Sequence, residues 1–297
     1  MTNSNKGGMA IVIAAGLIML QNASYGFGNP ISKVAYETLP VFSLLVARYG
    51  IALIPLLIFF GRRTLKQLRV VSPKVWLGPS ICITLCYLFG NIALGITAAT
   101  TASFLSGIAV IFAPILALVL HRTKYPLRNL PILALLIIGL YLLCALGGVA
   151  TFGIGEAVSL LASVSMAGSL VLGSKALDEI DPIALTTTQI GISFIAAIVC
   201  ALFVEHGVHL SAATPKVWAI IIYLAWACSV LGFALQNTAL KYAPATFVAV
   251  AQTLCPVFTA AFSFPVLGEA LSPAGMLGAA IILGCVIATV LLDSRDA

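Results

Sequence analysis

The sequence predicts an all-α integral membrane protein with ten transmembrane helices, arranged as two inverted five-helix repeats. Three observations carry this prediction: the chain is very apolar, its apolar runs have the length of a membrane span, and its second half repeats patterns of its first. Of the 297 residues, 61% are hydrophobic and only 8% are charged, and the mean hydropathy is +1.14. Soluble domains carry about 25% charged residues, so most of the surface of this chain must face lipid.

Ten apolar runs, bounded by charged or turn-forming residues, account for almost the whole chain. A spanning helix needs about 20 apolar residues, and its backbone groups must be hydrogen-bonded within the segment. The first run resembles a signal peptide but lacks a cleavage site of small residues, which favours an uncleaved span. Between the third and fourth runs the stretch 95–101 is uncharged, and length alone indicates a tight turn there. The predicted spans are 9–28, 40–60, 74–95, 99–120, 129–148, 154–175, 183–204, 217–240, 244–267 and 272–292.

The basic residues indicate the orientation of the spans. With the N-terminus placed in the cytoplasm, twelve of the 15 Lys and Arg residues fall on the inner side, two fall on the outer side, and Arg48 lies within the second span. This bias predicts a multi-pass protein of a bacterial inner membrane with both termini in the cytoplasm. The net charge of +6 is then a topology signal, so we expect the lipid bilayer and a small-molecule substrate as partners, and no nucleic acid. The inner residues are Lys6, Arg62, Arg63, Lys66, Arg69, Lys74, Arg122, Lys124, Arg128, Lys175, Lys241 and Arg295, and the outer ones are Lys33 and Lys216.

Short patterns in the first half return in the second. Ser-Pro-Lys-Val-Trp at 72–76 recurs as Thr-Pro-Lys-Val-Trp at 214–218, Asn-Ile-Ala-Leu at 91–94 as Asn-Thr-Ala-Leu at 237–240, and the proline of 113–115 as that of 255–257. Each half holds five helices, an odd number, so the second half must enter the membrane upside down. We therefore predict two domains, residues 1–148 and residues 149–297. Inverted repeats of this kind place a transport site near the midplane, where the repeats meet.

Several stretches also match a known pattern. Pro40–Arg48 begins with proline and ends with arginine, Ala93–Pro114 forms a hairpin of two spans, and Ala239–Glu269 ends in Gly-Glu. These stretches resemble the drug/metabolite transporter superfamily, specifically its EamA-type ten-helix members. The first half departs from the family at 121–124, which read His-Arg-Thr-Lys where Gly-Glu would stand. The resemblance implies a central cavity lined mainly by helices 1, 3, 4, 6, 8 and 9, alternating access, and substrates such as amino acids and related metabolites, often exported.

Uncharged polar and aromatic side chains are concentrated on a few spans. Polar groups within a span are costly and usually face the protein interior. Amides and hydroxyls beside aromatic rings suit a zwitterionic or polar uncharged solute, because they can replace the water that it loses. Each of these groups could instead form an interhelical hydrogen bond. The predicted substrate-binding residues are Gln21, Asn22, Tyr25, Tyr87, Asn91, Ser163, Phe233, Gln236, Asn237 and Gln252.

Two charged residues and two prolines are further candidates. Arg48 could bind a substrate carboxylate, pair with an acid or reach towards the interface. Glu156 could be a protonatable coupling site, the partner of Arg48, or a carboxylate at a helix start. Pro114 and Pro256 occupy matched positions, and each removes a backbone hydrogen bond, so they are either hinges for alternating access or static kinks.

The motifs narrow the classes of function. The chain contains no H-E-x-x-H, G-x-S-x-G or phosphate-binding loop, so we predict neither an enzyme nor a cofactor. The seven cysteines lie in apolar runs without a C-x-x-C pair, and no metal site is predicted. Scattered neutral polar groups favour a secondary carrier over a channel with a charged ring, and the lack of a well-buried acid favours facilitated diffusion or exchange.

Several alternatives stay open at this stage. The substrate could be a nucleoside, vitamin or sugar derivative, carried by an importer or exchanger. A channel or a non-transport membrane subunit is a further alternative. The protein could be a monomer or a homodimer.

Overall fold

The chain folds into a bundle of helices. A computed structural model describes residues 3–122, 129–144, 153–268, 270 and 272–296. Among these residues there is no strand, and the helices group into ten, of which nine are long and apolar enough to cross a membrane while α5 is shorter. The helices are α1 Asn3–Tyr36, α2 Val41–Val70, α3 Pro73–Ile96, α4 Ala99–Gly107 and Ala109–His121, α5 Leu130–Cys144, α6 Ile154–Ala176, α7 Pro182–Val204, α8 Pro215–Tyr223, Leu224–Leu231 and Gly232–Tyr242, α9 Ala245–Gln252 and Leu254–Leu267, and α10 Pro273–Asp296. The predicted all-α fold of ten helices is confirmed. The predicted boundary between the two domains falls in 145–152, outside the described residues.

The first two helices are longer than the sequence predicted. α1 continues to Tyr36 instead of ending at 28, with Pro30 inside it. Lys33, assigned to a loop, lies in its last turn and donates from Nζ to the carbonyl oxygen of Thr97 (2.8 Å). α2 has 30 residues, about 45 Å of helix. It therefore extends beyond a hydrocarbon core of about 30 Å, and Arg62, Arg63, Lys66 and Arg69 occupy the extension.

The recurrent motifs mark equivalent helix ends in the two halves. α3 and α8 both begin with proline at the first helical position, after Ser72 and Thr214, where the missing N–H of proline costs nothing. α9 ends at Gly268 in the left-handed conformation (φ 71°), and α4 ends at Arg122 in the same conformation (φ 54°). An arginine is less suited to this conformation than glycine. The first half thus has the same left-handed helix end as the second, although it has no glycine there. Glu269, which follows Gly268, lies outside the described residues.

Helix packing follows a twofold pattern. α1 packs on α8 and α9, and their counterparts five helices away, α6, α3 and α4, pack on one another in the same way. The pairs α2–α7, α4–α9 and α5–α10 each join a helix to its own counterpart. The start of α1 and the end of α10 lie together at one face of the bundle, because a Cβ built on Gly8 would be 2.7 Å from the carbonyl oxygen of Ser294. We call this side the terminal face and the other side the opposite face.

Apolar packing fills the half of the bundle near the terminal face. Here the first turns of α1 and α9 meet the last turns of α4, α6 and α8, and small side chains allow close approach of the helices. The other half, nearer the opposite face, contains a cavity. The packed cluster includes Ile11, Ala14, Ile18, Ala113, Ala117, Leu170, Val171, Leu240 and Val248.

Candidate functional site

A cavity of about 960 Å³, its open mouth included, lies among seven helices. All six helices that the family resemblance implied contribute to the wall, and α2 adds Arg48. The polar lining residues are Asn22, Tyr25, Asn29, Ser32, Arg48, Tyr87, Asn91, Ser103, Ser106 and Gln252, and the others are small or apolar, including Cys86, Met166, Cys228, Cys255 and Pro256.

Half of the predicted substrate-binding residues line this cavity, and half lie behind its wall. Those behind it are buried and contact other protein groups, so direct contact with a solute in the cavity is not expected of them. Residues at the wall are Asn22, Tyr25, Tyr87, Asn91 and Gln252. Residues behind it are Gln21, Ser163, Phe233, Gln236 and Asn237.

Three glutamines connect the wall to the interior. The Oε1 atom of Gln236 accepts hydrogen bonds from Nε2 of Gln21 (3.0 Å) and of Gln252 (2.9 Å). This joins α8 to α1 and α9. Of the three, Gln252 is the one that reaches the cavity, and it lies directly before Thr253, where α9 is interrupted. The interior glutamines therefore position a wall residue.

The repeat-related residues Asn91 and Asn237 have different surroundings. Asn91 lines the cavity, donates from Nδ2 to the carbonyl oxygen of Tyr87 (2.7 Å), and accepts at Oδ1 from the hydroxyl of Tyr36 (2.5 Å). Asn237 is buried and donates to Thr186 (2.9 Å) and Gln189 (2.8 Å) of α7. The same sequence motif thus provides a cavity-lining residue in one half and a hydrogen bond between two helices in the other.

Four polar lining residues were not among the predicted site residues: Asn29, Ser32, Ser103 and Ser106. Asn29 donates from Nδ2 to the hydroxyls of Ser103 (3.0 Å) and Thr259 (3.1 Å), which links α1, α4 and α9. Ser32 and Ser106 complete this part of the wall. The four-residue period of Gln21, Tyr25 and Asn29 puts Asn29 on the same face of the first helix as Tyr25, and this is the sequence signal that points to Asn29.

A cluster of aromatic rings and one guanidinium forms the end of the cavity at α2. The rings of Tyr25 and Tyr87 meet edge to face (6.1 Å between centroids), and Phe233 stacks behind Tyr87 (5.0 Å). The guanidinium carbon of Arg48 lies 5.5 Å from the ring centroid of Tyr49 and 5.7 Å from that of Tyr87. Such ring faces attract a cation. Arg48 also donates from Nε to the hydroxyl of Ser229 (2.8 Å).

The comparisons with known proteins agree with this architecture. The EamA-like transporter family matches residues 12–145 and 153–291. The chain belongs to the EamA-like transporter family.

Relatives of this EamA-like chain include proteins named as uncharacterized transporters. One from Archaeoglobus fulgidus is 26% identical over 263 residues, covering 89% of this chain and 81% of the relative. A second from the same organism is 31% identical over 248 residues, covering 80% and 83%. The fold is shared with a protein of known crystal structure, with a TM-score of 0.75 over 97% of this chain and 98% of that chain at 16% identity.

The charged candidate Glu156 caps a helix in this EamA-like protein. Its Oε2 accepts from the backbone N–H of Gly153 (2.9 Å), and its Oε1 accepts from the hydroxyl of Thr97 (3.0 Å). It therefore joins the start of α6 to the turn after α3, and it is not among the lining residues. Arg48 contacts Ser229 instead, so the pairing of Glu156 with Arg48 that the sequence left open does not occur.

α4 is interrupted at Ile108 and α9 at Thr253, and each interruption precedes one of the matched prolines. In α4 the N–H of Ile108 bonds to the carbonyl of Leu105 (3.2 Å), and in α9 the N–H of Thr253 bonds to that of Val250 (3.0 Å), both at three-residue spacing. Pro256 follows in the first turn of the second segment of α9, where a missing N–H is tolerated. Pro114 lies further along the second segment of α4. Both interruptions are at the depth of the cavity.

Proposed function

We propose that this EamA-like transporter is an alternating-access carrier that moves small polar metabolites, amino acids or related compounds, across a bacterial inner membrane, with export as the direction. The observation that carries the proposal is the contrast between the two halves of the bundle. One half holds a cavity lined by polar and aromatic side chains, and the other is filled by apolar packing. A carrier at one end of its cycle has this form, and a continuous pore does not.

The chemistry of the wall favours an amino acid or a related compound. Amides and hydroxyls donate and accept hydrogen bonds, aromatic rings pack on apolar side chains, and a single cation contributes the only charge among the lining residues. A zwitterion with one carboxylate matches this set of groups. A neutral nucleoside or sugar would make no use of the cation.

Counterflow in proteoliposomes preloaded with a mixed amino-acid and metabolite library tests the proposal, with the matched variants Asn91→Ala and Asn237→Ala. We expect saturable exchange in the wild type. Because Asn91 lines the cavity, its loss should raise the half-saturating concentration about tenfold, the effect of one hydrogen bond of about 1.4 kcal/mol. Asn237→Ala should leave that concentration unchanged and lower the melting temperature, because it removes an α7–α8 tie.

Three results would contradict the proposal. Flux that does not saturate would indicate a channel. Saturable exchange confined to nucleosides or sugars would show that the substrate is not an amino acid or a related compound. An equal effect of both asparagine variants on the half-saturating concentration would show that the substrate does not bind in this cavity.

We also propose that the segment of α4 between Ile108 and Pro114 bends during the cycle. Pro114→Ala restores a backbone N–H there, so we expect slower exchange and a changed ratio of thiol labelling at Cys255, a lining residue, from the two sides of the membrane. Pro55→Ala, inside the uninterrupted α2, is the control. Full exchange with an unchanged labelling ratio in Pro114→Ala would leave the proline as a static kink.

A further inference from the structure

One cation of the described part of the chain is buried in the bundle beside the cavity. Arg48 is 3% exposed and lies seven residues into α2, about 10 Å from the start of that helix. A charge placed within a membrane span is costly, and such residues pair with an opposite charge or face an aqueous cavity. The surroundings of Arg48 therefore show which of the two applies.

No carboxylate of the described residues lies within 4.0 Å of Arg48. Among the described residues, an ion pair joins Arg63 to Asp181 (2.9 Å), but it lies at the other end of α2. The nearest acid to the start of α2, Glu205, accepts from the backbone N–H and the hydroxyl of Ser43 (2.8 and 2.7 Å) and from the N–H before it. Its oxygens therefore cap α2 and do not neutralise Arg48.

The guanidinium is held in place but is left with free donors. A guanidinium has five N–H donors, and Arg48 uses Nε–H on Ser229. No hydrogen bond from its Nη groups is found in the described part of the chain. The two Nη groups can still donate two parallel hydrogen bonds to the two oxygens of a carboxylate. The arginine is thus positioned as an open receptor for an oxyanion.

The partner of Arg48 lies on an unusual piece of helix. Ser229 belongs to Leu224–Leu231, a π-helical segment of α8, and its hydroxyl donates to the carbonyl of Leu224, five residues back (3.1 Å). Because this hydroxyl donates to the backbone, its oxygen is oriented to accept from Arg48. π-Helical turns are frequently found at functional sites, and α3, the counterpart of α8, is α-helical throughout. The feature is therefore specific to the half that contacts Arg48.

Three other lining residues carry buried polar atoms without a hydrogen-bond partner in the described part of the chain. The hydroxyls of Tyr25 and Tyr87 and the Oδ1 atom of Asn22 are buried without a hydrogen-bond partner among the described residues, and all three residues line the cavity. Buried polar groups are normally satisfied. A hydroxyl can donate to a carboxylate, and an amide oxygen can accept from an ammonium group. The centroid of the ring that carries the Tyr87 hydroxyl lies 5.7 Å from the guanidinium carbon of Arg48.

We propose that Arg48 is the carboxylate-binding residue of the cavity, so that the carrier selects substrates with a single carboxylate, α-amino acids above all. The inference rests on the proposed carrier function and deepens it. A dianionic phosphate ester is less well matched, because the lining residues include one cation only. Ser229 is a positioning residue, which acts on the substrate through Arg48.

The test compares the common amino acids with the corresponding amino-acid amides, which lack the carboxylate. Both sets are used as competitors in proteoliposome counterflow and as additives in thermal unfolding of the purified full-length protein. We expect the wild type to prefer acid over amide by about tenfold or more, the effect of a charge-assisted hydrogen bond, and to be stabilised by the acid alone. Arg48→Gln should abolish the preference in both assays.

Three variants make the result interpretable. Arg48→Lys keeps the charge without the fork and should retain part of the preference. Ser229→Ala keeps the guanidinium but removes the hydroxyl that positions it, so it should keep the acid preference with weaker affinity. It serves as the readout should Arg48→Gln not fold. Arg63→Gln removes a charge outside the cavity, which pairs with Asp181, and should keep the acid preference of the wild type.

The outcomes separate the two proposals. Exchange without acid–amide discrimination, or an unchanged preference in Arg48→Gln, would overturn the carboxylate site and leave the carrier. Acid-specific stabilisation lost in Arg48→Gln, with no exchange of any compound, would support the site and overturn the carrier. Equal stabilisation by acid and amide, or none by either, would overturn the site whatever the exchange assay shows.

Discussion

Gly278→Ala is expected to destabilise the protein strongly, whereas Gly284→Ala in the same helix is expected to be nearly neutral. A Cβ at Gly278 would lie 2.5 Å from the carbonyl oxygen of Gly139 and 2.5 Å from the backbone nitrogen of Leu143. These are backbone atoms of α5 and cannot rotate away. At Gly284 no atom lies within 4 Å of the added carbon. Overpacking a tight contact costs about 1–3 kcal/mol or more.

The measurement is thermal unfolding of the two purified variants, combined with counterflow per folded molecule. No residue of α5 or α10 is among the lining residues, so the folded fraction of Gly278→Ala should keep the substrate preference and half-saturating concentration of the wild type. A melting temperature equal to that of Gly284→Ala would show that α5 and α10 are not held together by this close contact. A changed preference would show instead that the contact is coupled to the cavity.

The helices themselves could be predicted from the sequence, because burial in lipid demands about 20 consecutive apolar residues with internal backbone bonds. Their ends were less predictable. Pro30 and the asparagine before it suggest a loop, but α1 continues through them, because the bundle supplies partners such as Ser103 for Asn29. The basic end of α2 is helical although it lies beyond the apolar run. Ends depend on neighbouring helices, which a single apolar run does not specify.

The cavity could be predicted only in part, because the rotation of each helix decides which polar residue reaches it. Gln252 and Gln236 have the same chemistry and bond to each other, yet one is at the wall and the other behind it. The π-helical segment of α8 shifts the register of the following residues and places Ser229 at Arg48. No pattern of residue types in 224–231 predicts that shift, so the sequence left the role of Arg48 open.

Gly26→Ala is expected to impair both folding and transport, in contrast to Gly278→Ala. Asn22, Gly26 and Asn29 share one face of α1, because residues four and seven apart lie on the same side of a helix. On that face Asn22 donates to the carbonyl oxygen of Ala251 (2.8 Å), and Asn29 donates to Thr259 (3.1 Å). Both acceptors belong to α9 or its interruption. Gly26 lies between the two bonds.

An added Cβ at Gly26 would be 2.2 Å from Cβ and 2.8 Å from the carbonyl carbon of Phe258. Because these atoms are fixed to the α9 backbone, α1 would have to move away, and both asparagine bonds would lengthen. Each such bond contributes only about 0.6 kcal/mol in a membrane, so the main cost is the overpacking itself. The movement also separates two walls of the cavity, since Asn22 and Asn29 line it together with Gln252.

Gly16→Ala is the matched control for this second prediction, because the same change in the same helix meets no atom within 4 Å. We expect it to match the wild type in melting temperature and in exchange. Gly26→Ala should melt at a lower temperature, and exchange per folded molecule should fall about tenfold or more. If its folded fraction exchanged at the wild-type rate, the close approach of α1 and α9 would serve stability alone, and the carrier would tolerate their separation. A loss of exchange without a loss of stability would show that this crossing moves during the transport cycle.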